Sequence, residues 1–179
     1  MPDLIAGNVT PMRDATAAPS PGLFELTRFL EGQTTAWGVF EDRFRKLRRR
    51  FTVEMHGRWQ DRVFVLEERF TYDTGEVEDR TWRIVPGDGG RFTATCSDCI
   101  GEARGVCSND SVHMTYRFRL KFGTREMAVD FDDRVYRMTD STAVNRATMS
   151  KWGVKIGELS LFFQRDEASV AASTATAAA

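Results

Sequence analysis

Apolar and polar residues alternate with a period of two along most of the chain. In "VHMTYRFRLKF", Val112, Met114, Tyr116, Phe118, Leu120 and Phe122 share one face, and His113, Thr115, Arg117, Arg119 and Lys121 the other. Such a long alternation predicts an antiparallel strand with one wet side. "RFTVEMHGRW" repeats it, with Phe51, Val53 and Met55 against Thr52, Glu54 and His56. In "FVLEERFTYDTGEVEDRTWRIV", Asp73-Thr74-Gly75 suits a three-residue hairpin loop with Gly75 in the left-handed position. That register sets Tyr72 opposite Glu76, Glu68 opposite Arg80, Leu66 opposite Trp82 and Phe64 opposite Ile84, so opposite charges and apolar partners meet. A slip of one residue would turn Trp82 to the other face and lose the ion pair. Further strands are predicted at about 34–42, 91–97, 100–107, 125–132, 134–139, 142–149 and 156–165. The exception is "LFELTRFLEG", where Leu23, Leu26, Phe29 and Leu30 fall near one helical face and Gly32 stops a short helix. Short antiparallel strands joined by tight turns predict an all-β, up-and-down barrel of about eight to ten strands, because closure removes sticky sheet edges. The inside of such a barrel holds side chains plus one small ligand.

Domain organisation follows from where this alternation stops. Residues 1–22 carry Ala, Pro and Thr without a period, and 166–179 are Ala-rich and too small to pack; both read as disordered tails around a barrel at 23–165. The chain of 179 residues is long enough for one core. It has 25 Lys+Arg against 26 Asp+Glu, and this balance argues against a dedicated nucleic-acid binder. Three cysteines, no apolar run long enough to span a bilayer, and no recognisable secretory signal lead to the expectation of a cytoplasmic protein.

Local charge is less even. Six of the eight residues from Arg43 to Arg50 are basic. This run reads as a solvated turn and strand start, with contact to an anionic membrane surface as the alternative. Phe44 within it and Phe51 just after it read as packing residues rather than base-stacking platforms, so no nucleic acid is expected. Cys96, Cys99 and Cys107 include one C-x2-C spacing but no second pair, so plain thiols are expected, with no metal and no cofactor. His56 and His113 fall on wet faces, and no nucleophile motif, phosphate loop or zinc helix is present. Asp130, Asp132 and Asp133 read as solvated acids beside a turn. Trp37, Trp59, Trp82 and Trp152 read as core packing, with Trp82 beside any cavity.

Glu68 and Arg80 share their face with Phe64, Leu66, Phe70, Trp82 and Ile84. Burying an ion pair seldom gains stability over apolar packing, so this one calls for another reason. An inward arginine presents a planar, two-pronged donor to a guest carboxylate. The candidate ligand-binding set is Glu68, Phe70, Arg80, Trp82, Tyr116, Tyr136 and Arg146, with Arg80 and Arg146 as anchors and no catalytic residue assigned.

The blocks "FLEGQTTAWGVFEDRF", "FTYDTGEVEDRTWRI", "FDDRVY" and "NRATMSKWGVKIGELSLFF" resemble an uncharacterised bacterial family, a domain of unknown function with a lipocalin-like (calycin) barrel. The resemblance spans about residues 24–165. It implies such a barrel and a loose lipid connection, since relatives are often encoded beside enzymes that modify membrane fatty acids; it implies no established reaction. Many relatives carry a lipoprotein signal that this chain lacks, and Arg45 and Arg134 stand where the family pattern usually has glycine and tryptophan. The expected function is a small-molecule binding protein holding a hydrophobic ligand, a fatty acid or related lipid. The alternatives are an enzyme on a lipid or isoprenoid substrate in the same cavity, and a filled barrel serving as a structural or partner-binding unit. The oligomeric state stays open.

Overall fold

A computed structural model describes residues 22–122, 125–166 and 168–169, with backbone only at 121, 122 and 125. The tails expected at 1–22 and 166–179 fall almost wholly outside the described residues. One helical turn, α1 (Leu26–Phe29), precedes ten strands: β1 (Gly32–Asp42), β2 (Leu47–Gln60), β3 (Val63–Tyr72), β4 (Val77–Pro86), β5 (Arg91–Thr95), β6 (Ala103–Cys107), β7 (Ser111–Phe122), β8 (Arg125–Arg137), β9 (Thr142–Lys151) and β10 (Val154–Arg165). Each pairs antiparallel with its sequence neighbour, and β1 pairs with β10 to close the wall.

The period-two pattern sets the wall's two faces. Phe64, Leu66, Ile84, Phe92, Val112, Phe118, Val129 and Phe131 point inward and are buried. Outward positions carry ladders of opposite charge, such as Arg58 bonded twice to Glu67 and Arg69 bonded twice to Asp79. The β3–β4 hairpin has the expected register: Phe64 faces Ile84, Leu66 faces Trp82 and Glu68 faces Arg80. Gly75 takes φ 82, and the Tyr72 N–H donates to the Glu76 carbonyl.

The expected short helix is a single turn, closed by N–H donation from Phe29 to the Glu25 carbonyl and from Leu30 to the Leu26 carbonyl and packed through Phe24, Leu26, Phe29 and Leu30. Two expectations are corrected. The strands expected at 125–132 and 134–139 are one strand, β8, because Asp133 continues the pleat instead of turning. Of the tryptophans only Trp82 is buried; Trp37, Trp59 and Trp152 are exposed, as is Phe44.

The two ends of the barrel differ. The Phe24 N–H donates to the Ser108 carbonyl in the β6–β7 turn, and Arg137 donates to the Gly22 carbonyl, so α1 and its flanks cap this end. Inward side chains near the opposite end, among them Phe40, Phe70, Tyr72, Leu120, Met127 and Leu159, are only partly buried. This looser end, where the β1–β2, β3–β4 and β9–β10 turns lie, is the mouth.

Candidate functional site

An ionic and aromatic layer crosses the barrel between the capped end and the mouth. Arg80 on β4 holds its guanidinium between two rings, 4.7 Å from the Phe70 centroid and 4.6 Å from that of Phe118. Its neighbours are Glu68, at 3.9 Å, and Glu78, at 3.8 Å. Both exceed hydrogen-bond length, and Arg80 Nε is buried with no partner among the described residues. Trp82 Nε1 donates to Glu68 at 3.2 Å, and the Trp82 ring meets Tyr116 edge-on at 5.4 Å. Tyr116 stacks on Phe131 and donates its hydroxyl to Asp133, which also accepts from Asn145. Toward the mouth, Tyr72 donates to Glu78 at 2.8 Å.

Burial controls the charges of this layer. It pushes the Glu68 carboxyl up, against the opposing pull of Arg80 and the Trp82 N–H. It raises Asp133 to about 6, against the hydrogen bonds from Asn145 and Tyr116. Tyr116 is held in its neutral form, first by burial and then by the nearby Asp133. Arg80 stays cationic, since a guanidinium does not lose its proton in proteins. The layer therefore combines one fixed cation with carboxyls that keep their protons more tightly than usual. The Glu68 and Arg80 side chains still retain 13% and 14% exposure, so the layer is not packed solid.

Five members of the expected set, Glu68, Phe70, Arg80, Trp82 and Tyr116, meet in this layer. The other two do not. Arg146 points outward and pairs with Glu158 at 3.9 Å, and Tyr136 is likewise exposed on the outer wall. On β9 the inward residues are Ala143, Asn145, Ala147 and Met149, which turns Arg146 away; on β8 they are Val129, Phe131, Asp133 and Val135, which turns Tyr136 away. Asp132 also faces out, against His113 at 3.1 Å, so Asp133 is the inward acid of the pair. Asp133, Asn145, Tyr72 and Glu78 were absent from the expected set. Counting by two from Phe131 to Val135 would have found Asp133.

Two other features lie off this layer. Cys96 and Cys99 sit half-buried on the β5–β6 turn with sulfurs 3.1 Å apart. The shared proton lowers the Cys96 thiol and raises that of Cys99. A depression of about 620 Å³ on β1, β2, β3, β9 and β10 is lined by the stacked, exposed Trp37 and Phe162 together with Val39, Arg50, Phe51 and Leu161. None of the expected ligand-binding residues lines it. No cluster of three metal-ligating side chains occurs among the described residues.

A closed antiparallel wall around such a layer defines a lipocalin-like barrel. The chain belongs to DUF3833, a family of proteins of unknown function whose model matches residues 5–165. Among solved structures it resembles an S-type phycobiliprotein lyase from Guillardia theta, with 8% identity and a TM-score of 0.58 over 80% of this chain and 92% of that one. It also resembles a DUF3598-family protein of unknown function from Nostoc punctiforme, with 13% identity and a TM-score of 0.56 over 86% of this chain and 53% of that one. At these identities the likeness is one of fold. No curated protein matches the sequence.

Proposed function

We propose that this protein binds a hydrophobic small molecule, a fatty acid or related lipid, inside the barrel, its chain against the aromatic lining and its polar head at Arg80. The observation that carries this reading is Arg80 itself: a permanent cation between Phe70 and Phe118, with a buried Nε that no side chain among the described residues satisfies. Such a group carries a cost in stability, since an incompletely paired buried charge is destabilising. A guest carboxylate would supply the missing acceptors in two-pronged geometry. The upward push that burial gives the Glu68 carboxyl supports this, because it eases proton uptake there when Arg80 turns to a guest carboxylate. Apolar burial would supply the affinity, at about 25 cal/mol per Å². On this reading the expected membrane contact of Arg43–Arg50 lies beside the route of entry.

Native mass spectrometry of gently purified protein is expected to show an added lipid-sized mass, and titration with a fluorescent fatty acid to give saturable binding. Arg80→Ala should weaken that binding about tenfold or more while circular dichroism stays unchanged, since a charge-assisted bidentate contact is lost. Ligand-free protein in every preparation, with no uptake of added fatty acids, would overturn the proposal.

Asp133 favours a second reading. A carboxyl titrating at about 6 suits a general acid or base working near neutrality, and Tyr116 and Glu68 flank it. An enzyme acting on a lipid or isoprenoid in the same cavity would turn substrate over, and Asp133→Asn would bind it without converting it.

A further inference from the structure

Two hairpin tips stand side by side at the mouth. The Arg43 N–H donates to the Ile156 carbonyl at 3.0 Å, tying the β1–β2 turn to the start of β10. The first tip raises Phe44, 74% exposed, and the second raises Trp152, 85% exposed, followed by Val154, 56% exposed. Arg43 stacks its guanidinium 4.7 Å from the Phe44 centroid, and Lys151 sets its ammonium 4.5 Å from that of Trp152. Around these rings, residues 42–50 and 151–158 bring eight cations and two carboxylates, a net charge of +6. Among the described residues Arg48, Arg49 and Arg50 find acids in Asp42, Glu76 and Asp73, and Lys155 finds Glu158. Arg43, Arg45, Lys46 and Lys151 form no salt bridge among those residues.

Neither ring contributes to the core, and the backbone is conformationally unfavourable in presenting them. Trp152 lies at φ 53 and Gly153 at φ 77, the paired left-handed conformations of a two-residue turn that favours Asn-Gly. Arg45 lies at φ 61 in the other tip, where glycine is the comfortable residue. Asp42 fixes this first tip by accepting from the Phe44 and Lys46 N–H groups at 2.9 and 3.0 Å. Large apolar side chains held in water on rigid turns, each under a cation, match the chemistry of a bilayer interface: rings at the headgroup–acyl boundary and cations among phosphates. Outward residues farther down the wall on β3, β4, β7 and β8, such as Glu67, Arg69, Asp79, Arg117 and Asp130, are charged, which keeps that side of the barrel out of the contact.

We propose that the β1–β2 and β9–β10 tips dock the mouth of the barrel on an anionic lipid bilayer, with Phe44 and Trp152 inserted and Arg43, Arg45, Lys46 and Lys151 on lipid phosphates. This deepens the proposed function and rests on it for the purpose of docking, since a mouth held against the membrane lets an acyl chain pass into the barrel without crossing water. Acidic residues on the adjoining β3–β4 turn, Asp73 and Glu76, tilt the contact toward the cationic side.

Flotation with vesicles tests the docking on the full chain. Wild-type protein is expected to float with phosphatidylcholine vesicles containing phosphatidylglycerol, and far less with phosphatidylcholine alone or at high salt. The double variant Phe44→Ser/Trp152→Ser should lose affinity about tenfold or more, as burial of two aromatic side chains requires. Arg43→Glu/Arg45→Glu should abolish binding at physiological salt. Both variants alter exposed turns, and an unchanged circular dichroism spectrum checks their fold. Failure of the wild type to bind anionic vesicles at low salt, or equal binding by the Ser/Ser variant, overturns the proposal. Fatty-acid titration without vesicles reports separately on the interior: Phe44→Ser/Trp152→Ser should keep that binding and Arg80→Ala should weaken it.

Discussion

At the residue scale, Asp133 shows what a buried carboxyl costs in stability. Burial raises its carboxyl from the usual 3.8 to about 6. An acid that holds its proton more tightly when folded loses native stability as pH climbs between those two values, and stays destabilising above them. The gap corresponds to about 3 kcal/mol at most. Asp133→Asn, whose oxygen still accepts from Asn145, is therefore expected to be more stable than wild type at neutral pH, with the advantage gone near pH ~4. Urea denaturation at the two pH values checks this, and an equal difference at both would mean the carboxylate is not desolvated. Gly57 shows the opposite kind of constraint. A Cβ there would overlap the Leu30 carbonyl oxygen and the Phe64 ring, so α1 would have to lift from the capped end. Gly57→Ala should cost about 1–3 kcal/mol, read as a lower urea midpoint at unchanged slope.

At the scale of elements, the β9–β10 hairpin carries a clear expectation. Trp152→Asn places a residue that tolerates the left-handed region at φ 53 and should stabilise the protein by about 0.5–1 kcal/mol in thermal unfolding, while reducing vesicle binding. A destabilised variant would show that the ring supports the turn. The elements differ in how openly the sequence declares them. The β3–β4 hairpin was legible because loop chemistry, cross-strand charge and apolar pairing all select one register. The break misplaced within β8 came from three polar residues in succession, Asp132, Asp133 and Arg134, with Asp130 just before them, which imitate a turn. Their true division is across the wall: Asp130 and Asp132 outward on Arg117 and His113, Asp133 inward on Tyr116 and Asn145. Arg146 was misread because the inner side of β9 is built from Ala143, Asn145 and Ala147, residues too small or polar to mark a face.

At the scale of the molecule, the ten-strand closure follows from repeated alternation, whereas the state of the interior does not. Binary patterning says which side chains point inward; it does not say whether Arg80 finds full partners, or that the inward residues are tight beside α1 and loose at the other end. Those depend on tilt and on the sizes of residues brought together from distant strands. The exposure of Phe44 and Trp152 at the tips escaped notice for a related reason, since an aromatic residue in a sequence looks the same whether it fills a core or stands in water. The seam between β1 and β10 has a consequence of its own. It joins the first strand to the last, Thr34 to Arg165, so the edge of β1 waits for its partner until the tenth strand of the barrel has been made. Through that interval the nascent chain offers an unpaired strand and a greasy concave surface, the combination by which sheets recruit one another. Fragments released early from the ribosome, lacking only β10, are thus the dangerous species for this protein, more so than the finished barrel, which has no edge left to offer.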